Sequence, residues 1–251
     1  MYFTSTWGSL FRFNGFIVLI KFLKKKKKII LFGPKGLDDI INLQLKLSYS
    51  ELTFNLEFHP LKSSSLIRLY EDSNCSLFSF GLKHRIPCWG FKLVEKKPKV
   101  HIKPSSIKEF NIPFSFLNEI KLGKDFINNN GVLTRNSLLT KDSYIPRSYA
   151  YCSDTKFFRN LPKLIEGVDL LYHEATFHSD LCIKARSYFH STSLDAAIVA
   201  KKANVKRLIL GHFSSRYKDL TILQKDAKKV FNNVDLAEEG KTWKIKKIYS
   251  K

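Results

Sequence analysis

The sequence predicts an α/β layered fold, and three observations carry that expectation. From Ile29 onward, short apolar runs of strand length alternate with segments of helical spacing. Turn residues punctuate them, as at Gly33-Pro34, Gly36 and Gly167. Four of the runs end in a polar, ligand-type residue, the pattern of an α/β sheet whose site assembles beyond the carboxyl ends of its strands.

In chain order, "IILFGPKG" reads as a buried strand and "LDDIINLQLKL" as the helix after it. "LTFNLEFHPL", "CSLFSFGLKH" and "GFKLVEKK" read as strands. Residues 101–147 change character: they are rich in Lys, Asn and Ser, carry Pro104, Pro113 and Pro146, and allow one short helix near Ser115–Lys121. They read as an excursion from the core. "RSYAYCSD" is a strand, "NLPKLIEG" a short helix and "VDLLYHEA" a strand. "STSLDAAIVAKKAN" is a helix with Ser191 or Thr192 as N-cap and Ala196, Ala197, Ala200 and Ala203 on one face. "VKRLILGH" is a strand, "DLTILQKDAKKVF" a helix with its lysines outward, and "TWKIKKIY" a closing strand.

A chain of 251 residues, 44% hydrophobic, buries one sizeable core and carries one or at most two domains. The net charge of +21 favours a polyanionic partner, although abundant Lys, Asn, Ile and Phe are also what an AT-rich genome produces. Cys75, Cys88, Cys152 and Cys182 are scattered without a CxxC pair, which argues against a zinc finger and for free thiols in a reducing compartment. Phe16–Ile20 is too short to span a bilayer, and the Lys run after it is the wrong order for a signal peptide.

The four polar strand ends are His84, Asp154, His173-Glu174 and His212. His, Asp and Glu in such places suit divalent metals. Taken singly, His84 reads as a structural or surface residue, Asp154 as a helix cap and Glu174 as a solvated end. Their coincidence in one sheet raises the metal reading.

The words joining them are "YCSDT", "LLYHEATF", "YFHST", "LILGHFSSRY", "GLKHRIPCWGFKL" and "LFGPKGL". In this order and spacing they resemble the ribonuclease Z family, endonucleases that trim 3′ trailers from precursor tRNA, from about Ile29 to about Trp243. The resemblance implies a metallo-β-lactamase αβ/βα sandwich with an inserted exosite arm at 101–147. It implies His84, Asp154 and His212 as metal ligands, with Asp154 bridging two zinc ions. Glu174 and His190 correspond to a pair that assists proton transfer to the leaving group. Precursor tRNA, a homodimer and a cytoplasmic setting, with no membrane, are implied as well. Lys103, Lys108, Lys121 and Lys124 on the arm are candidate contacts to tRNA phosphates, or equally a solvated loop. The arm lacks the family's usual Gly-Pro pair, "NIPFSFL" standing there instead.

The family's His-x-His-x-Asp-His word is absent, so the fold is expected to be N-terminally incomplete. A full two-zinc site, needing about four ligands per ion, is then not formable from this chain alone. Residues 1–28 occupy the place of that word. If the gene is read one nucleotide later, residues 4–10 permit His-Leu-His-Gly-Asp-His, with only the Gly forced, by the single Trp7 codon. Residues 1 to about 23 are therefore expected to be an out-of-frame or unstructured segment, with the frame restored at the tract encoding Lys24–Lys28 and the domain proper spanning 29–251. Two other functions stay open: a non-catalytic RNA-binding remnant, and a metallo-β-lactamase-fold hydrolase of small esters.

Overall fold

The computed structural model describes residues 28–52, 54–97, 100–141 and 144–249, together with the backbone of Tyr2–Phe3. Apart from those two residues and Lys28, the segment expected to be out of frame lies outside the described residues.

The chain divides into two compact units. The first comprises residues 1–69, 77–93 and 149–241. In it, β1 (Tyr2–Phe3), β2 (Ile29–Gly33) and β3 (Leu56–Pro60) form a parallel three-stranded sheet. Helix α1 (Leu37–Leu47) joins β2 to β3, starting directly after Gly36, whose φ of 88° is the left-handed conformation glycine adopts without strain. Its apolar spacing buries Leu37 and Ile41 against Leu31 and Phe54.

The larger sheet has seven strands. β4 (Ile67–Glu71), β5 (Cys75–Gly81), β6 (Trp89–Glu95), β11 (Ser148–Cys152), β12 (Leu170–Glu174), β13 (Arg207–Gly211) and β14 (Val234–Leu236) lie in the order β14-β13-β12-β11-β6-β5-β4. β11 to β14 are parallel, and β12 and β13 are nearly continuous apolar runs, as strands buried on both faces must be. Two strands escape the sequence reading. β4 lies in a stretch given no element, and β14 is three residues long.

Besides α1, three of the expected helices lie in this unit. α5 (Leu161–Leu164) is the short helix closed by Gly167 at φ 68°. α7 (Ser193–Lys202) begins at Thr192, which forms a reciprocal capping box with Asp195. Its Ala196, Ala197, Ala200 and Ala203 are fully buried, small side chains that let the helix lie close on the sheet. α8 (Thr221–Lys228) keeps Lys225 and Lys228 exposed and buries Leu223, Asp226 and Ala227. A further helix, α6 (Cys182–Ser187), was not expected.

The second unit comprises residues 70–76, 94–148 and 242–251. Here β7 (His101–Ile102) pairs antiparallel with β10 (Thr140–Lys141), and β8 (Phe126–Ile127) with β9 (Leu133–Thr134). Helices α2 (Pro104–Glu109), α3 (Leu117–Lys121) and α4 (Asn136–Leu139) lie between. Their apolar residues converge on a core of Ile112, Ile120, Phe126 and Leu139. Asn136 staples it: its amide donates to the carbonyls of Ile120 (2.7 Å) and Lys124 (2.8 Å).

The expected closing strand "TWKIKKIY" does not form. The segment runs beside Tyr144–Arg147, where Ile145 N–H donates to the Ile248 carbonyl (2.7 Å) and Arg147 Nη1 to the Ile245 carbonyl (3.1 Å). With a guanidinium in place of a backbone donor at Ile245, the described residues form an isolated bridge, Tyr144–Tyr249, in place of a strand.

Candidate metal centre

The parallel register of β11, β12 and β13 sets the site. Cys152 lies opposite His173, and Glu174 opposite Gly211, so Asp154, Glu174 and His212 emerge at one level beyond the strand ends. Asp154 (φ 51°) and His212 (φ 58°) both take the left-handed conformation that side-chain-bearing residues seldom adopt. Such strain persists only where the surroundings over-determine it. Gly211 has a different reason to be small: a Cβ there would lie 2.1 Å from the Tyr172 hydroxyl.

Glu174 is buried and accepts four hydrogen bonds. Oε1 takes the Thr155 N–H (2.6 Å) and His190 Nδ1–H (2.8 Å), while Oε2 takes the Thr176 hydroxyl (2.6 Å) and the Ser191 N–H (3.1 Å). Burial pushes its carboxyl up, but the bond to His190, that ring's charge and the Thr176 hydroxyl outweigh it and hold Glu174 below the usual carboxylate range. For His190 burial works downward, and the Glu174 bond and charge with that of Asp154 bring the net shift upward.

These partners assign the imidazole protons. His84 Nδ1 lies 3.1 Å from the Phe189 carbonyl, which can only accept, so His84 Nε2 carries the lone pair. The Thr176 proton goes to Glu174, so its oxygen accepts from His212 Nδ1 (2.9 Å), and His212 Nε2 also carries a lone pair. That lone pair faces Asp154 Oδ1 at 3.0 Å, a buried carboxylate oxygen with no hydrogen-bond partner. Two electron-rich atoms so placed repel unless a proton or a metal cation lies between them. The donor set therefore fits a metal ion.

Asp154, Glu174, His190 and His212 each offer a ligand-type atom within 4.8 Å of the others. Glu174 has its acceptor directions filled and serves to orient His190. His84 lies outside this group of four but beside it, its ring 5.1 Å from that of His190, which in turn stacks at 5.3 Å on His212. The structure thus brings together all five residues that the sequence singles out as ligands or acid–base groups. Two cations flank them: Arg216 lies over the Phe177 ring (4.8 Å) and Lys156 over the Phe189 ring (4.6 Å).

The four arm lysines lie in the second unit. Lys108 and Lys121 are exposed, whereas Lys103 Nζ donates to the Leu138 carbonyl (3.1 Å) and Lys124 pairs with Glu119 (3.5 Å). The sequence gives no role to Thr155 or Thr176 and offers Ser191 only as an alternative N-cap to Thr192; all three complete the Glu174 network. They stand inside the words "SDT", "HEAT" and "HST", and small hydroxyl residues beside ligand-type ones are the signal that marks them. Asp226 stands outside the sequence reading as well: buried and bonded to Ser179, Ser193 and Lys229, it ties the turn before α6 and the first residue of α7 to α8.

Solved structures with this architecture are metallo-β-lactamase-fold proteins, and this fold with His, Asp and Glu at its strand ends defines the chain's class. Human tRNase Z, short form, aligns with a TM-score of 0.62 at 26% identity, over 94% of this chain and 75% of that one. The metallo-β-lactamase-fold protein YhfI from Bacillus subtilis aligns with a TM-score of 0.59 at 17% identity, a likeness of fold alone. Within that class the chain belongs to the ribonuclease Z family. It is 38% identical to ribonuclease Z of Parabacteroides distasonis over 230 residues, 92% of this chain and 76% of that protein. It is 35% identical to that of Cytophaga hutchinsonii over 235 residues. No protein-family model matches the chain.

Proposed function

We infer that this chain is a metal-dependent endoribonuclease that removes 3′ trailers from precursor tRNA. The observation that carries this reading is the contact between His212 Nε2 and the unpartnered Asp154 Oδ1, beside a Glu174–His190 pair, in a member of the ribonuclease Z family. His84, Asp154 and His212 would hold the metal, which we take to be zinc. When bound, zinc supplies an activated water and neutralises charge on the phosphoryl oxygens. Glu174 fixes the His190 ring through Nδ1, leaving Nε2 to hold a proton for the departing 3′-oxygen. Arg216 and Lys156 give the site the positive margin that a phosphodiester requires.

The remaining ligands of a two-zinc centre fall, on this reading, in the segment before Ile29, read in the restored frame. The arm at 101–147 would grip the tRNA, in a cytoplasmic homodimer. The four cysteines are free, as a reducing compartment requires, and among the described residues no helix is long and apolar enough to cross a membrane.

The test is cleavage of a precursor tRNA transcript by the protein from its native cells, with zinc quantified and the N-terminal peptide read by mass spectrometry. Expected are a His-Gly-Asp-His peptide, bound zinc, and loss of cleavage in His190→Ala. Tight tRNA binding by a zinc-free, inert protein would replace this reading with that of an RNA-binding remnant, which the absent His-x-His-x-Asp-His word favours. Cleavage of small esters but not of precursor tRNA would replace it with the third.

A further inference from the structure

The second unit carries a basic strip that the active-site reading leaves unused. Residues 242–251, "TWKIKKIYSK", contain no acidic residue. Trp243 and Ile245 are half-buried while Lys244, Lys246 and Lys247 are exposed, so one edge of the segment faces inward and the other presents cations. The segment is pinned in place. Ile145 N–H donates to the Ile248 carbonyl and Arg147 Nη1 to that of Ile245, and Arg147 is itself clamped through Nε and Nη2 by both oxygens of Glu95. Lys247 Nζ lies 4.3 Å from the centroid of the Tyr144 ring, which also has Arg147 at 5.8 Å. Beyond the lysines stands Tyr249, 62% exposed.

We propose that Lys244, Lys246, Lys247 and Tyr249 form an RNA-contacting surface, distinct from the arm lysines, on which phosphates meet the lysines and an unpaired base stacks on Tyr249. It rests on the reading of the chain as a tRNA-processing enzyme and adds a subsite to it. Cations alone would serve any polyanion. Cations on a pinned segment next to an exposed aromatic ring are what a single nucleic-acid strand engages, by charge along its backbone and by stacking. A lipid surface calls for a continuous apolar face, and here Trp243 and Ile245 turn inward, leaving Ile248 as an isolated exposed aliphatic side chain among the lysines.

The experiment measures binding of the full chain to a fluorescent precursor tRNA, and to an unrelated RNA of equal length, in chelator so that no cleavage intervenes, across a salt series. The triple variant Lys244→Ala/Lys246→Ala/Lys247→Ala should lose at least fivefold in affinity at low salt and flatten the slope of log affinity against log salt by about 2. The matching Lys→Arg triple should keep both. Tyr249→Ala should lose fivefold or more and Tyr249→Phe little. Unchanged melting temperatures separate these losses from misfolding. An alanine triple that binds with parental affinity and slope overturns the strip even where the parent cleaves precursor tRNA. A strip-dependent affinity equal for both RNAs, in a chain that never cleaves tRNA, supports the strip and counts against the tRNA-processing reading. Loss of binding to phosphatidylserine vesicles with RNA affinity intact overturns it in favour of a membrane.

Discussion

The two units solve the problem of holding a chain in place differently. In the first, buried carboxylates organise the loops. Glu174 alone gathers two backbone N–H groups, a hydroxyl and an imidazole, and Asp226 gathers two serines and a lysine. In the second, four buried apolar side chains form the core, and its ion pairs, Glu95–Arg147, Lys96–Glu71 and Lys124–Glu119 among them, are partly or fully exposed. A saturated buried charge fixes angles as well as distances, since each partner loses heavily if the geometry slips. A small apolar core fixes only proximity. A reaction centre needs the first kind of order, and a surface that follows a long substrate can use the second.

The sharpest way to break this contrast is at Glu174. Glu174→Ala leaves four donors in a dry site without their acceptor, and should cost about 3–5 kcal/mol of stability, read from the shift in urea midpoint. Glu174→Gln keeps the shape and should recover much of that loss while leaving the orientation of His190 impaired. A cost below 1 kcal/mol for the alanine variant would mean the network organises little. Next in size is Leu139→Ala, which removes one of the four core residues of the second unit and should cost about 3 kcal/mol. Hydrogen exchange should then show amides of 101–141 opening while those of β12 and β13 keep their protection. Equal loss in both places would show that the two units do not fold as separately as their cores suggest.

How much of this was legible in the sequence follows the same division. Most helices and parallel strands of the first unit, α6 and β14 excepted, announce themselves, because a strand buried on both faces must be an unbroken apolar run and α7 must turn its alanines one way. His84, Asp154, Glu174, His190 and His212 are legible because each stands inside a distinctive word. The hydroxyl residues that hold them are not, since Thr155, Thr176 and Ser191 look like any loop residue until four partners meet on one carboxylate. β14 is short enough to pass unnoticed, and "TWKIKKIY" alternates like a strand yet finds a guanidinium where a ladder needs a backbone donor. Beyond the short helix near Ser115–Lys121, which forms as Leu117–Lys121, residues 101–147 show only polarity and proline, because a four-residue core leaves almost no periodic trace.

Two smaller effects sharpen the contrast. Thr192→Ala removes the capping box at the start of α7, next to His190, and should cost about 1 kcal/mol. Thr192→Ser should restore it, and a cost near zero would show that the buried alanine face alone fixes that helix. The smallest effect concerns acid. The bidentate bond from Arg147 lowers the Glu95 carboxyl below its ordinary value, with burial opposing and the charges of Arg147 and Lys247 adding to it. A group depressed on folding stabilises above its unfolded pKa of about 4.3, and that contribution disappears as pH falls through the lower folded value. The pair is partly exposed, so its effect should stay below about 1 kcal/mol. It should nonetheless be visible locally, because the Arg147 N–H donates to Glu95 Oε2 (3.0 Å) and its amide proton shift reports the bond. That shift should titrate below pH 4.3 in the parent and stay flat in Glu95→Gln, while the amides bonded to Glu174 hold their positions over the same range because that carboxylate is buried and saturated. If the Thr155 and Ser191 amides move together with that of Arg147, the buried network is no better protected from acid than the exposed pair, and the distinction between the units lies in their apolar cores alone.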